Sequence, residues 1–397
     1  MLEEKDARAR ILQQVDPGPV IWVATHLASG QAVAQDIFGI ADYPEFDNSS
    51  MDGYAVFADE AKDGAVLQIS AEQQPAGIDR KLTLRAGQAI RIFTGAPVPE
   101  KADAVIMQED VDRVGDHITI KEGVVKGENV RRRGGDVCSG QKIIAQGDRL
   151  GATRLALLSS QGIDEVPIHV RPMIHVVTTG DELVQLGDSP MPGQIFDSNG
   201  ILLKSAIEEI GGIAEAVHLE DNPDLMRHAI TILCEASDFV VIAGGVSVGE
   251  RDYVKRVLNE LGVETDFWRV NIKPGKPFLF GRHPNGCLIF GLPGNPVSAF
   301  VTFQLFVAPA LKRRLGHKQI GDNPEEITTM LGEAGEDLTN FGDRPHYLRA
   351  TVENGRVVMS GTQQSHAVFG LSKANCLVRI EPGQTVAEKS PVYGIRI

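Results

Sequence analysis

The chain has 397 residues and a formal net charge of −14, with 42% apolar and 23% charged side chains. That length accommodates roughly two to four domains, each able to bury its own core, and the composition excludes wholesale disorder. The acidic balance disfavours a broad nucleic-acid face or adhesion to anionic lipid, and it makes small-molecule chemistry the better expectation for a water-soluble protein.

The opening MLEEKDARAR places charges where a secretory signal needs an apolar core, so no export is expected. Residues 1–27 read as a helix with Ile11, Leu12 and Val15 on one face, running into a second apolar segment after Pro17-Gly18-Pro19. From 28 to 139, short β-rich runs such as 81–92 and 117–121 alternate with glycine turns and form a β-rich subdomain. The stretch at about 140–171 joins residues 1–27 in a helical, linking subdomain.

A different texture begins at 172. Residues 173–177 form an apolar run of the kind a strand buried on both faces shows, ending in TTGDE. A helix follows with Leu203, Ala206, Ile207 and Ile210 at helical spacing, stopped by Gly211-Gly212, and then a strand at 216–219. Residues 238–243 supply a second buried strand, closed by GGVSVG, and 287–290 a third, followed by GLPGNP and a long apolar helix. Strand, loop and helix alternate through 172–320, which indicates a doubly wound, parallel-sheet α/β domain. Residues 324–397 give short alternating runs and a small all-β, barrel-like module. The expected class is therefore multidomain α/β.

The most apolar stretch, 296–311, is too short and too polar to span a bilayer, so no membrane is expected. Cys138, Cys234, Cys287 and Cys376 stand far apart with no C-x-x-C pair, which suits a reducing, cytoplasmic setting.

In an open parallel sheet, ligands bind beyond the carboxyl ends of the strands, and all three glycine-bearing loops fall there. The loops at 244–249 and 291–296 can bring backbone amides close to a phosphate, or can simply be tight strand-to-helix turns. Neither is a Walker A loop. Asp181, Glu182, Asp221 and Asp252 gather at the same strand ends. Carboxylates beside a phosphate make sense if Mg²⁺ bridges the two; each alone reads first as a solvated helix N-cap, and it is their convergence at one sheet edge that favours the cation. Lys273-Pro274-Gly275-Lys276-Pro277 supplies positive charge on an extended loop. In the β-rich region, DNSSMDGYA at 47–55 is sufficiently explained as an Asx turn entering a strand. RIFTGAPVP at 91–99 carries the Thr94 hydroxyl, and VRRRGGD at 130–136 is either a local anion patch or an exposed charged loop.

Read in order, DNSSMDGYA, RIFTGAPVP, VRRRGGD, TTGDEL at 178–183, GGVSVGERDY at 244–253, IKPGKPF at 272–278 and GLPGNPVSA at 291–299 resemble the molybdopterin molybdenumtransferase family, which includes bacterial MoeA and the E domain of gephyrin. The match covers almost the whole chain. The sequence departs from the family's usual residues at Ser50, Gly135 and Ala243. The resemblance implies an elongated homodimer with four subdomains, which binds adenylylated molybdopterin and molybdate and, with Mg²⁺, releases AMP as the metal enters the dithiolene.

By motif position the resemblance implies activity for Asp52, Thr94, Asp136, Glu182, Asp221 and Asp252; we expect Glu182, Asp221 and Asp252 to hold Mg²⁺ directly or through water. It implies substrate binding for Asp136, Gly180, Asp181, Gly244, Gly245, Ser247, Gly249, Lys273, Lys276, Pro293, Gly294, Asn295 and Pro296, and for Arg344 and Ser365 in the C-terminal module. Asp52 and Thr94 fall outside the α/β domain, so they would reach its cleft from a partner subunit or by domain packing. A molybdopterin adenylyltransferase and downstream molybdoenzyme maturation proteins are the expected partners. A tungsten-inserting paralogue and a gephyrin-like scaffold or carrier are the alternatives, and presence of the whole carboxylate set argues against the scaffold.

Overall fold

The computed structural model of the chain describes residues 1–246, 253–318 and 328–397. They fall in two units. One is built from residues 1–35, 146–151 and 166 onward, the other from 36–145 and 152–165.

In the first unit the strands Ile213–Leu219, Met173–Thr179, Phe239–Ala243 and Leu288–Leu292 lie side by side in that order, all parallel. Their side chains alternate between two cores. Ile174, Val176, Phe239, Val241, Phe290 and Leu292 join Leu203, Ile207, Phe306 and Leu311 on one face. Val177, Val240, Ile242 and Ile289 meet Met226, Ile230, Val254 and Leu258 on the other. Helices cover both faces, as a near-continuous apolar strand requires. The sheet does not end there: Leu279–Arg282 and Glu264–Trp268 extend it as two antiparallel strands, so the sheet is mixed rather than wholly parallel.

Local signals set the helix ends. Asn222 accepts the N–H groups of Asp224 and Leu225 and Pro223 takes the first helical position, which opens Pro223–Ala236. Gly211, with φ of 112°, closes Asn199–Ile210. The long apolar helix from Pro296 to Arg314 widens into a π-helical stretch, Phe303–Val307, just ahead of Pro309, whose ring cannot serve a regular α-turn.

The N-terminal helix is shorter than the pattern suggested. It runs only from Glu4 to Gln13, and beyond Pro17-Gly18-Pro19 the chain becomes the strand Val20–Ala24. Glu4 is buried, where its carboxylate accepts from Arg8 at 2.8 Å and from the hydroxyl of the fully buried Tyr347 at 2.5 Å, with Arg379 at 3.4 Å. Burial, with Glu4 adjacent, pushes the Tyr347 hydroxyl well above its ordinary pKa.

The C-terminal part of this unit closes a barrel from Thr329–Ala334, Arg356–Met359, His346–Glu353, Cys376–Ile380 and Pro391–Arg396. Leu331, Leu348, Ala350, Val357, Val378 and Val392 fill it.

The second unit holds a six-stranded sheet in the order Ala104–Met107, Gly53–Val56, Gln88–Ile92, Val66–Ile69, His117–Ile120, Val111–Val114, together with the helix Ala152–Ser160. The expected run at 81–92 pairs as a strand only from Gln88. No helix among the described residues is long and apolar enough to cross a membrane.

Candidate active site

The four parallel strands end at one cleft of about 630 Å³. Thr179 ends the first strand in sequence and Gly180 and Glu182 follow it; Asp221 follows the second, Gly244 and Gly245 the third, and Pro293, Gly294, Asn295 and Pro296 the fourth. This is where strand-to-helix loops and helix N-termini converge in an open α/β sheet. Pro277, His366 and Val368 complete the wall.

The glycine turn is required by contact as well as by conformation. Gly245 sits at φ of 62°, and a Cβ there would lie 2.5 Å from Cγ2 of Val254. The turn thus lies flat on the helix Tyr253–Glu260 and leaves its backbone facing the cleft. Asp181 does not line the cleft; its Oδ1 accepts the Asp221 N–H at 3.0 Å and so holds the Asp221 backbone. Ser247, Gly249 and Asp252 lie outside the described residues.

Among the described residues three carboxylates, Glu182, Asp197 and Asp221, line this cleft and no lysine or arginine does. Lys273 and Lys276 are exposed on the loop that contributes Pro277. Lys273 pairs through its backbone with the barrel, accepting from Tyr347 N–H and donating to Pro345 O, both at 2.8 Å. Arg344 donates to Ile272 O at 2.9 Å, so Lys273 and Arg344 share one seam with the buried His346. Burial first, then Lys273, Arg349 and Arg344, depress the His346 pKa to about 4. Ser365 does not line the cleft, but its carbonyl accepts the Val297 N–H at 3.1 Å at the start of the helix Pro296–Thr302, and His366 beside it does line the cleft.

Asp52, Thr94 and Asp136 belong to the second unit. Thr94 holds Asp52 through two hydrogen bonds, while Asp136 is exposed and donates its N–H to Tyr43 O. The arginine triplet is largely occupied: Arg132 bonds Asp47 at 2.6 Å and Arg133 bonds Asp42 at 2.7 Å. A free anion patch of three arginines is therefore not what this loop provides.

Sequence reasoning missed Asp197 and Asn199, both lining the cleft and both only 8% exposed. It also missed Ile195 and Phe196, paired with Leu183–Val184 in a two-residue parallel ribbon at the cleft's edge. The available signal was the polar Asp197-Ser198-Asn199 immediately before an apolar helix.

The chain matches three family models: MoeA N-terminal region (domain I and II) over residues 2–162, probable molybdopterin binding domain over 175–313, and MoeA C-terminal region (domain IV) over 332–390. It is 36% identical to the molybdopterin molybdenumtransferase of Haemophilus influenzae across 96% of this chain and 95% of that protein. The chain belongs to the molybdopterin molybdenumtransferase family. The relative of that name from a Nostoc species is 33% identical over 90% of this chain and 84% of its own. Among solved structures, the molybdopterin biosynthesis MoeA protein of Pyrococcus horikoshii superposes over the full length of both chains with a TM-score of 0.85 at 27% identity.

Proposed function

We propose that this chain inserts molybdate into adenylylated molybdopterin and releases AMP, as a Mg²⁺-dependent, cytoplasmic homodimer. Its family membership makes it a transferase of molybdenum cofactor biosynthesis. The observation that carries the finer reading is the meeting, in one cleft, of Glu182 and Asp221 with the turn at Gly244–Gly245 and the loop Pro293–Pro296.

A phosphate entering a cleft whose described lining bears three carboxylates and no lysine or arginine is repelled by that lining unless a cation stands between. Glu182 and Asp221 suit Mg²⁺, which takes one or two carboxylates and completes its shell with water and phosphate oxygens. Among the described residues no three acidic, histidine or cysteine side chains close on one point, as a dedicated all-protein cage would require. Bound there, Mg²⁺ would neutralise the phosphoanhydride that is cleaved.

The chain's own part is binding and orientation. The Gly244 N–H is spent on Leu292 O, so in this reading the Gly245 amide holds a phosphate oxygen, while Lys273, Lys276 and Arg344 attract molybdate and phosphate to the adjoining loop. Asp181 sets the position of Asp221 through its backbone. Asp52 with Thr94, and Asp136, are expected to contribute to activity in this reading. The substrate comes from a molybdopterin adenylyltransferase, and the product passes to maturation proteins of molybdoenzymes.

The test is to incubate the purified protein with adenylylated molybdopterin and Mg²⁺ and follow AMP with and without molybdate, with tungstate in parallel. Molybdate-dependent AMP release is expected. Release only with tungstate would make it the tungsten paralogue, and no release by a protein that still binds the pterin would make it a scaffold or carrier.

A further inference from the structure

The cleft floor holds two buried acceptors that the phosphate chemistry does not use. Asp197 is pinned from both sides: the Thr178 hydroxyl donates to Oδ2 at 2.6 Å, and the Gly200 N–H donates to Oδ1 at 3.0 Å. Both donors are neutral, and among the described residues no lysine or arginine lines the cleft. A carboxylate this buried, with only neutral partners, is costly to maintain. It also retains lone pairs, since an ionised carboxylate offers about four acceptor sites and two are taken.

Asn199, two residues on, is a second and independent sign. Its Nδ2 donates to Gly294 O at 2.7 Å, which fixes the amide's orientation because a carbonyl can only accept. Its Oδ1 is then buried with no partner at all. An orphaned acceptor beside an uncompensated carboxylate defines a place that lacks donors, and a phosphate or molybdate oxygen brings none.

We infer that Asp197, with Asn199 beside it, binds the amino-pyrimidinone edge of the pterin. That edge presents a ring N–H and an exocyclic amino group side by side, the pattern a carboxylate pairs with through both oxygens. The inference rests on the proposed function and adds an orientation to it. The pterin end lies over the start of the helix Asn199–Ile210, and the phosphate end points to Gly244–Gly245. Capping the helix needs only one oxygen of Asp197; the Thr178 hydroxyl that locks the other gives the carboxylate a fixed plane, which edge-on recognition requires.

The test compares wild type with Asp197→Asn, which keeps an acceptor for Gly200 N–H but loses the charge and places an NH₂ against the ligand's own donors. Molybdopterin affinity is read by fluorescence quenching, with the half-saturating molybdate and Mg²⁺ concentrations from AMP release and the thermal midpoint alongside. Expected is a loss of molybdopterin affinity of at least about tenfold, with both half-saturating concentrations unchanged and the midpoint within about 2 °C. Unchanged affinity in the folded variant would reduce Asp197 to a helix cap and overturn the inference. A raised Mg²⁺ requirement would make Asp197 a metal ligand and overturn it too. Should Asp197→Asn fail to fold, Thr178→Val leaves the cap in place: a several-fold loss of affinity supports the inference, and no loss refutes it. Wild type that binds no molybdopterin refutes the proposed function itself, whereas a binding wild type with an unaffected variant refutes only this assignment.

Discussion

Thr94 donates twice to a single oxygen of Asp52, its backbone N–H at 2.7 Å and its hydroxyl at 2.8 Å to Oδ1. The N–H first, then the hydroxyl, with Arg91 contributing charge, hold the Asp52 carboxyl below the usual aspartate range. Asp52 therefore stays ionised to a lower pH than an ordinary aspartate. Its stabilising contribution is present above the unfolded-state pKa and is lost as pH falls through the lower folded value. Thr94→Val keeps the N–H and removes the hydroxyl, so the Asp52 titration followed by carboxyl ¹³C NMR should move upward. No movement would mean that the hydroxyl does not set this charge. Asp52→Ala, at an exposed position, should abolish most molybdate-dependent AMP release while leaving the unfolding midpoint near wild type.

His346 gives a stability effect of opposite origin. Its folded-state pKa of about 4 lies below the ordinary 6.5, so between those values the unfolded chain binds the extra proton. Stability from this residue is complete above pH 6.5, declines as pH falls toward 4, and levels off below. The loss should be roughly 2 kcal/mol in urea titrations, after allowing for screening of the neighbouring cations. His346→Gln should flatten that part of the pH profile; an unchanged slope would assign it to other groups.

Arg349 is the largest fully buried side chain of the first unit's barrel region, and among the described residues its guanidinium is paired with carbonyls rather than a carboxylate. It donates to Ala367 O at 2.8 Å and to Thr362 O, and its Nε is buried without a partner. These two carbonyls flank Ser365 and His366, and Val368 follows directly, so Arg349 ties down the loop that forms one wall of the cleft. Arg349→Met should cost about 2–4 kcal/mol of stability and raise the half-saturating substrate concentration more than it lowers the maximal rate. Wild-type values for both would show that the loop holds its shape without the guanidinium.

Much of this was open to reading in the residues. Met173–Thr179, Phe239–Ala243 and Leu288–Leu292 announce themselves because strands covered on both faces carry almost no polar side chains. Once they are placed, the position of Glu182, Asp221 and the glycine turns at one sheet edge follows from topology alone. The antiparallel pair Glu264–Trp268 and Leu279–Arg282 was not legible, since apolar alternation carries no strand direction. Asp197 escaped for a different reason: it follows a two-residue strand whose partner lies a dozen residues earlier, too short a pattern to register. The bonds from Arg132 and Arg133 to Asp47 and Asp42 span more than eighty residues, which local charge patterning cannot foresee.

Glu4 and Tyr347 stand 343 residues apart. A ribosome delivers chain from the N-terminus onward, so their partnership imposes an order of events. All six strands of the second unit's sheet lie between residues 53 and 120, and that sheet can be completed while translation continues. The helix Glu4–Gln13 has no such option. Ile11 and the Glu4 carboxylate must wait for the α/β strands, and then for Tyr347 and Arg379, before they are sheltered. A stretch synthesised well before its partners is thus among the last to find its place.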